Sequence, residues 1–285
     1  SIALPTGDVA ALAIRAHGLY VGTFDRGLYV VDGLHATPIV DAALSPHVNA
    51  LAFDSARSLL WVATARGLVR CETTSGIHCR GVGDRLAMHA LLLGEDGSII
   101  AGGEERILFV RRDGRIDGAA TRKDGARFRS VWSLARGQDG TIFAGTTSGI
   151  FYGAEATFTR DPSRLQRASM VSGALPDDWI TALLIDGDEL VAGTYNAGVV
   201  ALGYADHTLR LRDADATLGY VNPAGLTRLP DGSLAVSTMD GLRIGLLGDF
   251  HTVPTLGRDV TAVLLDTHHA RWVASRRGIE QLDAQ

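Results

Sequence analysis

WVATARGLVR at residues 61–70 returns near the end of the chain as WVASRRGIEQ at 272–281. The same shape recurs in YVGTFDRGLYV, IFAGTTSGIFY, LVAGTYNAGVV and LAVSTMDGLRI. If the glycine of each Gly-Leu or Gly-Ile step is the anchor, it falls at Gly27, Gly67, Gly149, Gly241 and Gly278, with Gly198 before Val199 and Arg106 before Ile107 as variants. Successive spacings are 40, 39, 43, 49, 43 and 37 residues. A period of about 40–45 residues is that of a four-stranded propeller blade, so seven anchors predict seven blades.

A second signature precedes each anchor: VAAL (9–12), VNAL (48–51), MHAL (88–91), VWSL (131–134), ITAL (180–183), PAGL (223–226) and VTAV (260–263). Small or apolar residues hold three of the four positions, as expected of inner strands packed too closely for charges. Asp96-Gly97, Asp139-Gly140, Asp186-Gly187 and Asp231-Gly232 then supply hairpin turns, because Asp-Gly tolerates positive φ. The absence of sustained i, i+3, i+4, i+7 periodicity predicts almost no helix. The chain stops after the third strand of blade 7 and starts with Ser1-Ile2-Ala3-Leu4 ahead of blade 1, so the N-terminal strand is expected to complete the last blade and remove an open edge. The fold expected is all-β: a seven-bladed β-propeller of four-stranded antiparallel blades, one domain over residues 1–285.

A chain of 285 residues can bury roughly three quarters of its unfolded surface, so its stability needs no metal. With 46% hydrophobic and 21% charged residues it has a globular composition, and no apolar run approaches the roughly 18 residues of a membrane span. No membrane insertion by this segment is expected. The formal charge of −5 argues against nucleic acid as a partner. Of 27 basic residues only Lys123 is lysine, which reads as composition bias.

The pattern apolar-x-A-L … D-G-x-L-W-V-G-T-x-x-G-L, with the lead-in GALPDDWITALLID at 173–186, resembles the two-component regulator propeller repeats of bacterial sensor proteins. Blades 3, 6 and 7 depart from it at the WVGT step, with IAGG, AVST and WVAS, and blade 3 lacks the anchor glycine. The resemblance implies a periplasmic ligand-sensing propeller. No membrane span or kinase follows in this sequence, so a sensor-like or free-standing binding module is expected rather than a kinase.

Cys71 and Cys79 bracket ETTSGIH and, in the repeat frame, face each other on the third and fourth strands of blade 2. A disulfide there implies export to the periplasm or beyond; the alternative is a pair of reduced, packed thiols in a cytoplasmic protein. The chain opens at Ser1 with no charged-then-apolar leader, which fits signal-peptide removal and trimming equally.

Motifs for nucleotide cradles, zincins and hydrolase elbows are missing, and no cofactor is expected. Asp213-Ala214-Asp215 opens like a calcium loop but lacks the later ligands, and reads as a solvated turn. Function is therefore sought where propeller loops gather, around one mouth of the central channel. The residues proposed to contact a ligand there are Asp8, His47, His89, Arg129, Trp179, Tyr195, Arg258 and Asp259. Asn49, Trp132, Asp178 and Asn222 lead into inner strands beside them, and Phe24, Asp25, Arg26, Arg66, Glu104, Glu105, Asn196, Met239, Asp240, Arg276 and Arg277 lie on the neighbouring loops. Trp61, Trp132 and Trp272 read as packing, and Trp179 as the exposed aromatic that could stack on a sugar. His47 and His89 read as surface groups rather than metal ligands. Three functions fit: a non-catalytic propeller sensing a small molecule or glycan, a protein-interaction platform, and a polysaccharide hydrolase or lyase.

Overall fold

Each repeat folds into one antiparallel sheet whose strands run from the channel outward in chain order. The computed structural model describes residues 2, 4, 8–266 and 268–282. Blade 1 comprises Val9–Arg15, Gly18–Thr23, Leu28–Asp32 and His35–Ile39, and blade 2 Val48–Asp54, Leu59–Thr64, Gly67–Glu72 and His78–Val82. Blades 3 to 6 repeat this plan from inner strands Met88–Leu93, Val131–Arg136, Ile180–Asp186 and Val221–Arg228, and blade 7 has Val260–Leu265, Arg271–Ser275 and Gly278–Leu282. The protein is a seven-bladed β-propeller, with its core distributed between adjacent blades.

Two features of the repeated sequence explain this geometry. The first residue of every inner strand, Val9, Val48, Met88, Val131, Ile180, Val221 and Val260, is wholly buried. In four cases it fills the space left by a glycine in the preceding blade: a Cβ on Gly22, Gly102, Gly145 or Gly193 would collide with Val48, Val131, Ile180 or Val221. The glycine of the WVGT step is thus the seat of the next blade. Burial of each such side chain contributes about 2 kcal/mol.

The second feature is the hydroxyl that closes the same step. Thr64, Thr146 and Thr238 donate Oγ1 to the carbonyl of Gly67, Gly149 and Gly241 at 2.8, 2.7 and 2.8 Å, and Thr23 and Thr194 do so at 3.0 Å to Gly27 and Gly198. The same oxygens accept backbone N–H groups inside the turn, for example Arg66 N–H to Thr64 at 3.0 Å. The anchor glycine takes positive φ, +112° at Gly67, a conformation that a Cβ disfavours. Blade 3 has neither device: Gly103 replaces the threonine, Arg106 the glycine, and Glu105 carries the positive φ at +55°.

Among the described residues helix is confined to the short α1 (Glu155–Arg160) and three 3-10 turns. Phe158 of α1 is buried, 6.1 Å from Phe109 of blade 3. At the seam, Ile2 pairs antiparallel with Ile279, its N–H donating to the Ile279 carbonyl at 2.7 Å, and packs with Val9, Ala274 and Ile279. The rest of the expected closing strand includes Ser1 and Ala3, outside the described residues. No helix among the described residues is long and apolar enough to cross a membrane.

Two expectations change. Blade 6 does not begin at PAGL: Val221 pairs with Thr238 and Leu226 with Val236, so Val221 takes the buried first position and Pro223-Ala224 are two extra residues. The Gly193 seat selects Val221, while the small residues of PAGL only mimic the pattern. Asp213 to Asp215 end a strand, Thr208–Asp215, rather than forming a solvated turn. Asp215 is buried because its carboxylate accepts the N–H groups of Thr217 and Gly248 at 2.9 and 3.2 Å.

The sulfurs of Cys71 and Cys79 are bonded at 2.06 Å, and the two residues lie directly opposite each other on the outer pair of strands of blade 2.

Candidate functional site

The register shift sits at one place in all seven inner strands. In blade 2, Val48 pairs with Thr64 and Ala50 with Ala63, leaving Asn49 as a bulge. The equivalent residues are Ala10, His89, Trp132, Thr181, Asn222 and Thr261, with the bulge of blade 6 widened by Pro223-Ala224. A bulge redirects one side chain without breaking the ladder on either side. Six of these seven, all except Thr181, line a cavity of about 620 Å³ at the channel mouth, a volume typical of small-molecule sites.

The loops beyond the bulges complete the wall. In several blades the carbonyl of the residue immediately before the inner strand accepts the N–H of the residue that follows the second strand: Trp179 from Tyr195 at 3.0 Å, Asp259 from Arg276 at 3.2 Å, Asp8 from Phe24 at 2.9 Å. This stitch places side chains of adjoining loops side by side. Trp179 and Tyr195 stack at 4.2 Å between centroids, and Arg276 Nε donates to the Asp259 carboxylate.

Five rings follow one another around blades 3 to 6. His89 stacks on Trp132 at 4.7 Å and 13°, Trp132 lies 6.5 Å from Trp179, Trp179 stacks on Tyr195, and Tyr220 meets Tyr195 edge-on at 5.0 Å. Burial, with the adjacent Tyr195 and the Asp259 charge, pushes the Tyr220 phenol above its ordinary pKa, so it stays a neutral donor at physiological pH. His89 is held on both sides. Asn49 Nδ2 lies 3.4 Å from Nδ1 while also donating to the Met88 carbonyl at 2.7 Å, and Nε2 faces Glu104 at 3.0 Å. This assigns the proton to Nε2. Ser130 donates its hydroxyl to the other Glu104 oxygen at 2.9 Å.

The opposite side is charged and polar. Asn222 repeats the Asn49 arrangement, donating Nδ2 to the Val260 carbonyl at 2.6 Å and to Asp259 at 3.3 Å. Arg276 also approaches Asp8 at 3.7 Å. Two lining residues hold buried polar atoms with no partner among the described residues: Trp132 Nε1 and Thr261 Oγ1. Such atoms cost stability unless a ligand or water satisfies them.

Of the eight residues expected to contact a ligand, His89, Tyr195 and Asp259 line the cavity. Asp8 and Trp179 stand behind them, the first beside Arg276 and the second beneath Tyr195. Trp179 is only half exposed, and Tyr195 presents the outer ring, 40% exposed. His47, Arg129 and Arg258 are exposed outside the lining. Arg129 and Arg258 each stand one residue before the stitched position, and in extended backbone a one-residue offset turns the side chain away. Trp132, expected as packing, belongs to the wall. Tyr220, Thr261, Ala10 and Pro223 were not singled out by the sequence, although the variable second position of the VxAL signature marks the bulge. No group of three potential metal ligands occurs among the described residues.

A propeller whose mouth sets a wall of aromatic rings beside a charged and polar one is the architecture these observations define. No family profile and no curated protein matches the sequence. Among known structures, the extracellular domain of the putative one-component system BT4673 from B. thetaiotaomicron superposes over 98% of this chain and 39% of its own, with TM-score 0.80 and 14% identity. That of the putative hybrid two-component system BT3049 from the same organism covers 97% and 40%, with TM-score 0.76 and 15% identity. The WD40 propeller domain of Doa1 matches over 100% of this chain and 96% of its own, with TM-score 0.74 and 13% identity. At these identities the likeness is one of fold, and the chain spans about two fifths of the two bacterial chains.

Proposed function

We propose that this chain is a non-catalytic ligand-recognition propeller, the sensing part of an exported protein, and that it takes a small molecule or glycan in the channel mouth. The observation that carries this reading is the cavity itself, assembled from the bulge residues of six blades and walled by Trp132, Tyr195 and Tyr220. Its size and its mixture of ring faces with a few fixed polar groups suit recognition. The extracellular origin of the bacterial structural neighbours and the Cys71–Cys79 bond support export.

The His89–Glu104 pair invites a catalytic reading. Its geometry favours a positioning role, because Asn49 faces the second ring nitrogen and the Ser130 hydroxyl meets Glu104 rather than His89. A calorimetric screen of oligosaccharides and small metabolites tests the proposal. Saturable binding without turnover is expected, weakened at least about tenfold in Tyr195→Ala, as for a lost aromatic contact. A ligand that binds Tyr195→Ala and Trp132→Ala as tightly as the native chain, or is converted to product, would overturn it.

A further inference from the structure

The charged wall of the mouth is built within one blade. Asp259 leads into the inner strand of blade 7, Arg276 follows its second strand, and the two are joined by a backbone hydrogen bond of 3.2 Å as well as by their side chains. Thr261, two residues beyond Asp259, lines the same wall. It is 8% exposed, and its hydroxyl has no partner among the described residues. A paired carboxylate and guanidinium, and a threonine whose hydroxyl is unpartnered among the described residues, therefore line the same cavity as the rings of Trp132, Tyr195 and Tyr220.

We propose that the mouth takes a free α-amino acid with an aromatic or large apolar side chain. Its carboxylate faces Arg276, its ammonium faces Asp259, Thr261 supplies the remaining hydrogen bond, and the side chain lies on the ring wall. The charge pattern selects this class. A purely anionic ligand would set a like charge beside Asp259, and a purely cationic one would do so beside Arg276. A ligand carrying both signs on one carbon meets the pair without adding net charge to an enclosed site. Tyr220 lines the cavity with both walls and meets Tyr195 edge-on at 5.0 Å.

The inference rests on the reading of the mouth as a ligand site, and calorimetry on the intact chain separates the two. The probes are L-phenylalanine, phenethylamine, 3-phenylpropionate and a set of neutral mono- and disaccharides. L-Phenylalanine is expected to saturate at least about tenfold more tightly than either single-charge analogue, the usual scale for a hydrogen bond to a charged group. In Arg276→Gln its affinity should fall toward that of phenethylamine, whose own binding should strengthen as the like charge beside its ammonium is removed; Asp259→Asn should mirror this with 3-phenylpropionate. Thermal melts verify that both variants fold. Equal affinity for L-phenylalanine and its analogues would overturn the inference. Saccharide binding without L-phenylalanine binding would overturn it too, while leaving the ligand-site reading in place.

Discussion

Asp215 illustrates how a single carboxylate can be read wrongly from composition and correctly from its donors. The Thr217 hydroxyl, followed by the backbone N–H groups of Thr217 and Gly248, holds it below the ordinary value of 3.8 against the opposing effect of burial. A carboxyl depressed in the folded chain adds stability that is complete above 3.8 and is lost as pH falls through the lower folded value. Asp215→Ala is accordingly expected to cost about 1 kcal/mol near pH 7, the usual loss for a capping side chain. The gap between the urea midpoints of the two proteins should narrow as the pH falls below 3.8, and a gap that is constant with pH would refute the assignment. Thr64 and its equivalents act at the same scale. One hydroxyl closes the turn that follows each second strand, which is why threonine or serine recurs there in six blades.

At the scale of the strand, the outer hairpin of blade 2 depends on its covalent link. The strand His78–Val82 is mostly exposed and packs on one side only. Replacing both Cys71 and Cys79 by serine should lower stability by about 2.5 kcal/mol on the loop-entropy scale. Matched urea unfolding of oxidised native protein and variant would measure it, and unchanged midpoints would show that the hairpin needs no tie. Cys71 and Cys79 were legible as partners because the repeat frame set them on adjacent strands. The anchors were legible for a related reason: positive φ and close blade approach leave few residue choices, so glycine marks them. PAGL misled because small residues satisfy a pattern of packing without occupying the Gly193 seat. The mouth was harder to read. Trp132 in VWSL looks apolar among apolar neighbours, and only the bulge, marked in the sequence by nothing more than the variable second position of the VxAL signature, turns it toward the channel.

For the whole molecule, closure is the property at stake. Blade 7 has three described strands, and the Ile2–Ile279 pairing brings the other end of the chain onto its outer edge. Deleting residues 1–4 should expose that edge and remove Ile2 from its packing with Val9 and Ile279, giving an earlier and broader thermal transition and a rise in self-association. Light scattering during the melt would detect both, and a deletion variant that melts as the native chain would show that the seam holds without it. The ring also has a consequence for how such a protein acquires new tastes. Each bulge residue is borne by its own blade, anchored by a buried neighbour that does not reach the mouth. Six letters can therefore be rewritten one at a time while the framework that displays them stays constant. A combinatorial library confined to positions 10, 49, 89, 132, 222 and 261 would explore recognition while the buried first residue of each inner strand goes on carrying the fold.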